Sequence, residues 1–196
     1  NRLANALHDA YGVRAGDRVA ILAYNGVAFL DLLYGLAKIG AVFTPLNWRL
    51  TGRELAYIVG DCSPRLLIVG PDCLTTYDEL KPLIDVPTVL ALDGAELEGA
   101  PRYEDVLAQA SPAEPTRPPL DADSPYTILY TSGTTGKPKG AVLPHRQILW
   151  NAINTVISWG LNEHDVSPVL TPLFHAGGLF AFLTPILYVG GRVVLA

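Results

Sequence analysis

Residues 126–143 read YTILYTSGTTGKPKGAVL. Two strand-like apolar runs, 126–130 and 141–143, enclose ten residues of another kind: three glycines, four hydroxyl side chains, two lysines and one proline, with no apolar side chain. Such a loop has no packing purpose between the two buried strands expected on either side. Glycine lets the backbone adopt φ > 0 and come close to a ligand. Backbone N–H groups, hydroxyls and ammonium groups are the donors that a polyphosphate needs. The loop therefore reads as a triphosphate cradle.

Other glycine-rich motifs fit less well. A Walker A loop needs four residues between its glycines and then Gly-Lys-Ser/Thr. Here Gly133 and Gly136 are too close, and Pro138 follows Lys137. A nucleophile elbow needs glycine two residues before Ser132, where Tyr130 stands.

Around the loop the chain alternates helical and strand patterns. Leu3, Ala4, Leu7 and Tyr11 form a helical stripe, and residues 18–22 read as a buried strand. Residues 27–39 form a long apolar helix closed by Gly40. A strand over 41–46 follows, then a capping box at Thr51 and Glu54 that opens a helix to about Asp61. Strands are expected at 65–69 and 88–92, with a weaker helix between them. Beyond the loop come a helix over 146–158, a strand over 166–170, an apolar helix after His175 and a strand from Arg192. Repeating βα units predict an α/β fold, mainly parallel sheets flanked by helices.

Five prolines between 111 and 125 predict an extended linker. The expected division is a first α/β lobe over 1–110, the linker over 111–125, and a second lobe over 126–196 that opens with the phosphate loop, all within one truncated N-terminal domain.

With 49% hydrophobic and only 17% charged residues, much of the chain must be buried. A net charge of −5 without a Lys/Arg cluster argues against nucleic acid as a partner. Cys62 and Cys73 fit neither a disulfide framework nor a zinc site and read as free thiols of a reducing compartment. The most apolar stretch, 176–191, is shorter than the ~20 residues of a membrane span and contains Pro185. A cytoplasmic location is expected, with peripheral membrane attachment left open. Asn at position 1 and the absence of methionine lead to the expectation of a fragment of a longer gene product.

Residues 130–140, YTSGTTGKPKG, resemble the phosphate-binding signature of the adenylate-forming (AMP-dependent synthetase and ligase) superfamily. Residues 171–179, TPLFHAGGL, are similar to the acyl-pocket motif of its acyl-CoA synthetase branch, and residues 36–47, LAKIGAVFTPLN, to an early helix-to-strand segment. The resemblance covers most of the chain and implies the N-terminal part of such an enzyme.

Residue by residue, it assigns Thr131, Ser132, Gly133, Thr134, Thr135, Gly136, Lys137, Lys139 and Gly140 to ATP phosphates, with Lys139 the principal cation and Thr135 a candidate Mg²⁺ ligand. It assigns His175 a place between the acyl carboxylate and the nucleotide, so that His175 and Lys139 are the candidate catalytic residues. Phe174, His175, Gly177, Gly178 and Leu179 are the candidate acyl pocket, its glycines leaving room for an alkyl or aryl tail. His145 reads as a helix-start residue, and His8 and His164 as surface residues.

Amino-acid-activating relatives carry an aspartate after the phenylalanine, whereas here His175 follows Phe174. An unpaired ammonium in a dry pocket is costly, so an acid without an α-amino group is expected. The implied activity is ATP-dependent formation of an acyl-AMP and then of a coenzyme A thioester, with Mg²⁺, ATP and coenzyme A. The missing C-terminal part of the chain would be its partner. Alternatives are a luciferase-like or aryl-acid ligase, or a non-catalytic fragment with a residual phosphate loop.

Overall fold

The computed structural model describes residues 1–131 and 136–196. Ser132, Gly133, Thr134 and Thr135 lie outside the described residues, and with them their expected phosphate contacts and the Thr135 metal assignment.

Helix α1 (Arg2–Asp9) leads into β1 (Arg18–Leu22), α2 (Val27–Ile39), β2 (Val42–Pro45), α3 (Gly52–Cys62), β3 (Leu66–Val69), α4 (Leu74–Leu80), β4 (Thr88–Ala91) and α5 (Tyr103–Gln109). After residues 111–125 come β5 (Pro125–Thr131), β6 (Lys139–Pro144), α6 (His145–Trp159) and β7 (Val166–Val169). Then follow the short α7 (Ala176–Gly178), a π-helical turn (Leu179–Leu183), α8 (Thr184–Tyr188) and β8 (Arg192–Leu195).

The main sheet has the order β4-β3-β1-β2-β5-β6, parallel except for the β5–β6 hairpin. A second, two-stranded sheet pairs β7 and β8 in parallel. The mainly parallel α/β architecture expected from the sequence is what forms.

Its cause is visible strand by strand. Successive side chains of a strand face opposite sides. Val19 and Ile21 join Leu66 and Ile68 in a core under α1 and α2, while Ala20 and Leu22 join Leu67 and Val69 in a core under α3. A strand buried on both faces must be apolar throughout, and β1 is, except at its first residue. Thr51 and Glu54 form the capping box of α3, and Gly40 closes α2 with φ +71°.

The sheet does not break where the sequence suggested a lobe boundary. Strand β5 pairs with β2, and one continuous core runs from Leu3 and Phe29 to Leu173, Leu179 and Leu183. Residues 111–125 are docked along the first helices. Asn5 Nδ2 donates to the carbonyls of Ser111 and Ala113, Lys38 pairs with Glu114 at 2.9 Å, and Pro118 and Leu120 close on Gly40. Strand β6 also departs from expectation. It is an edge strand with one neighbour, and its residues are exposed or half-buried.

Burial pushes the Cys62 and Cys73 thiols up from 9.0 to about 11. An unfolded thiol ionises near its ordinary value while the folded one stays protonated. This stabilisation is complete below pH 9 and fades as pH rises to about 11. The urea midpoint of the protein should fall over that window, and fall less in a Cys62→Ala variant. Parallel falls in both proteins would remove Cys62 from the account.

Candidate active site

The carboxyl ends of parallel strands are where open α/β sheets place ligands. Here the chain after β2 and the end of β5 frame a cleft of about 650 Å³. Leu46, Asn47 and Leu50 form one side, Glu54, Tyr57 and Ile58 of α3 the floor, and Phe174 and His175 the far wall. Tyr130, Thr131, Gly136, Lys137 and Pro138 supply the stems of the predicted phosphate loop. Residues of the two expected sites thus line one space.

On the phosphate side, the glycines act differently from one another. Gly136 has φ +82°, a conformation that side-chain-bearing residues rarely adopt. Gly140 lies opposite Tyr130 in the β5–β6 ladder, and a Cβ there would meet Ile128 Cγ2 at 2.9 Å and the Tyr130 ring at 3.1 Å. Gly140 therefore makes room for Tyr130, whose hydroxyl donates to Asp61 Oδ2 at 2.5 Å. Lys137 lines the cleft with its Nζ 5.6 Å from the centre of the Tyr57 ring. Lys139 is outside the lining but stands directly opposite Thr131, and facing residues of a ladder share one side of the sheet.

On the acid side the backbone is clamped. Leu173 N donates to Asn25 Oδ1 at 2.8 Å, and Asn25 Nδ2 donates to the Thr171 carbonyl at 3.1 Å. A Cβ on Gly178 would lie 2.3 Å from the Pro172 carbonyl oxygen. Phe174 and His175 consequently project into the cleft. Gly177, Gly178 and Leu179 do not line it: the space beside Gly178 is filled by its own chain, and Leu179 is fully buried in the core. At Gly178 the room expected for an acyl tail is taken by main chain, whereas a Cβ on Gly177 would meet only the His175 ring nitrogen at 3.4 Å.

His175 Nδ1 accepts from Gly177 N at 3.1 Å. An acceptor nitrogen carries no proton, so the neutral ring bears its hydrogen on Nε2. That leaves Nε2–H of His175 as a donor at the cleft wall. His145 is elsewhere, starting α6 with its ring edge-on to Tyr126, and burial pushes its pKa down.

Glu54 is the one carboxylate in the lining, and its Oε2 already accepts from the amide and the hydroxyl of Thr51. These bonds hold it below the usual carboxylate range. Among the described residues no group of three His, Cys, Asp or Glu could hold a metal ion, and no helix is long and apolar enough to cross a membrane.

Comparison with known proteins bears on this arrangement. The family model described as "AMP-binding enzyme" matches residues 1–196. The chain belongs to that family. Within it, the chain is 41% identical over 194 residues to an indoleacetate–CoA ligase of Aromatoleum aromaticum, covering 99% of this chain and 38% of the relative. It is 39% identical to a feruloyl-CoA synthase of Amycolatopsis, covering 99% and 36%. The chain thus spans little more than a third of the relatives it matches. Among solved structures, an anthranilate CoA ligase in complex with anthranoyl-AMP superposes with a TM-score of 0.92 at 27% identity, over 99% of this chain and 38% of that one. ATP-bound MatB from Rhodopseudomonas palustris gives 0.83 at 31% identity, over 100% and 37%. This AMP-binding chain therefore has the N-terminal fold of adenylate-forming CoA ligases.

Sequence reasoning missed Tyr57, Asn25, Trp48 and Arg49 around this site. Asn25, Trp48 and Arg49 stand in short loops, which carry no periodic signal, and Tyr57 is an exposed position of α3 outside its apolar stripe. The packing of Gly178 allows a direct check. Gly178→Ala forces a methyl against a carbonyl and should lower stability by about 1–3 kcal/mol. Gly177→Ala, whose Cβ would meet only His175 Nδ1 at 3.4 Å, should cost clearly less by urea denaturation.

Proposed function

We propose that this chain is the part of an AMP-forming acid–CoA ligase that receives the leaving pyrophosphate on one wall of the cleft and the acid's carboxyl end on the other. The observation that carries the reading is the meeting of the loop stems with Phe174 and His175 across one cleft, in a chain matched from end to end by the AMP-binding family. In this reaction the acid carboxylate attacks the α-phosphate of ATP. A carboxyl–phosphorus bond forms, and the bond to pyrophosphate breaks with its electrons on the leaving oxygen. Coenzyme A thiol then displaces AMP.

Such chemistry rests on positioning and charge stabilisation more than on covalent work by the protein. Thr131, Lys137 and Lys139 would favour charge on the departing pyrophosphate, and Nε2–H of His175 would orient the acid or the acyl phosphate. Among the described residues no group of three His, Cys, Asp or Glu could by itself hold the magnesium that the family resemblance implies. Adenine and coenzyme A contacts belong, on this reading, to the remainder of a longer protein. Two buried free thiols accord with a cytoplasmic enzyme.

Three features support an aryl acid lacking an α-amino group. His175 rather than a carboxylate follows Phe174, the walls of the cleft include Phe174, Tyr57 and Tyr130, and the indoleacetate–CoA ligase, feruloyl-CoA synthase and anthranilate CoA ligase named above are named for aryl acids.

Acid-dependent ATP–pyrophosphate exchange by the full-length protein tests this reading. Indoleacetate, ferulate or anthranilate should outpace phenylalanine and leucine. An amino acid turned over faster than every simple carboxylic acid would overturn the assignment.

The same assay separates the lysines. Lys139 projects from a hydrogen-bonded strand, so its place is set by the sheet. Lys139→Ala should cost about 2–4 kcal/mol of transition-state stabilisation, and Lys137→Ala less. Equal losses, or none, would remove Lys139 as the principal phosphate cation.

A further inference from the structure

Trp48 and Arg49 lie outside the cleft lining yet touch the side chain that forms its acid-side wall. The Trp48 ring stands edge-on to Phe174, with centroids 6.0 Å apart and planes at 84°. The Arg49 guanidinium carbon is 4.9 Å from the Trp48 centroid and 5.9 Å from that of Phe174. Behind Trp48, the ring of Tyr24 packs at 4.3 Å. Three separate loops, after β1, β2 and β7, meet in this stack.

We infer that Trp48, capped by Arg49, is a positioning residue that fixes the Phe174 ring and thereby sets how tightly the acid is gripped, without itself touching substrate. This inference rests on the acid–CoA ligase reading and adds a residue that governs its acid side. The bonds from Asn25 and the close approach at Gly178 fix the backbone around Phe174. They leave its two side-chain torsions free, so the ring needs its own support. Among the described residues, Trp48 is the only aromatic ring stacked on it and Arg49 the only cation over it.

Edge-to-face contact and guanidinium stacking both depend on orientation, so they select one ring position rather than merely filling space. Displacing a substrate-positioning group by a fraction of its own size weakens binding and alignment disproportionately. Core packing alone does not account for the stack, because Tyr24 is 47% exposed and Arg49 is exposed as well.

The test uses the full-length protein in acid-dependent pyrophosphate exchange, with whichever of indoleacetate, ferulate and anthranilate is fastest. Trp48→Ala should raise the KM for the acid about fivefold, roughly the factor carried by one oriented aromatic pair, and leave the KM for ATP nearly unchanged. Trp48→Phe, which restores a ring edge, should recover most of the loss. Arg49→Gln should raise the acid KM about twofold, the lower end for an exposed cation–π contact.

Both KM values rising together, or a falling Tm with neither KM changed, would mean that Trp48 only packs and would overturn the inference. If Trp48→Ala does not fold, the exposed Arg49→Gln decides: an unchanged acid KM overturns it. An unsubstituted protein that shows no exchange with any acid would instead remove the ligase reading, and this inference with it.

Discussion

Strand β5 meets β2 through one registered pair, Phe43 opposite Thr127, and the fully buried Thr127 hydroxyl donates to the Phe43 carbonyl at 2.7 Å. A buried hydroxyl must find a partner or carry its full desolvation cost, so this bond helps fix where β5 can join the sheet. The consequence is directional. Because β2 and β5 are parallel, their carboxyl ends lie side by side, and the chain leaving Pro45 faces the chain leaving Thr131. An antiparallel β5 would send the phosphate loop to the opposite edge, away from α3. The cleft exists because this pairing has the orientation it has.

The second wall depends on the first core. Leu173, Leu179 and Leu183 share one apolar cluster with Phe29 and Phe43, so the segment bearing Phe174 and His175 is seated on the sheet that carries the loop stems. The spacing between walls is therefore a property of packed side chains, which resist small displacements. The charge of the cleft follows from equally local causes. The chain as a whole is negative by five, yet in the cleft the Glu54 carboxylate is bound to the start of its own helix, while Lys137 and the Nε2–H of His175 remain available. The attraction for an anion proposed above would come from these few groups, against the overall charge.

Much of this was legible in the sequence, and the failures share a cause. Helix α2 has the expected bounds and Gly40 closes it, because apolar spacing and a left-handed cap are local signals. Thr51 and Glu54 announced α3 for the same reason. Helix α5 gave no such notice. It is seven residues long, and its one buried residue, Tyr103, is held by Asp31 from far along the chain. The prolines of 111–125 read as a separator, but Asn5 and Lys38 bind that segment from more than 70 residues away, a distance over which sequence pattern is silent. Strand β6 read as buried because its residues are apolar. Its position at the sheet edge is a property of topology. Phe174 and His175 stood out in the sequence through their motif, and both line the cleft. Trp48, which supports Phe174, belongs to no repeating pattern.

The glycines show most clearly how one letter can stand for different physics. Read along the chain, the phosphate loop and the acid motif look equally glycine-rich, and backbone freedom or open volume is the natural interpretation of both. In the folded chain Gly136 alone among their described glycines has the positive φ that such freedom implies. Gly140 is extended and exists to let the Tyr130 ring cross it on the way to Asp61. Gly178 brings one stretch of main chain against another, which closes space instead of opening it. Two of the three therefore tighten the site. Both sides of the cleft are held by close main-chain or ring contacts, the kind of preorganisation that the proposed charge stabilisation of a leaving phosphate would require.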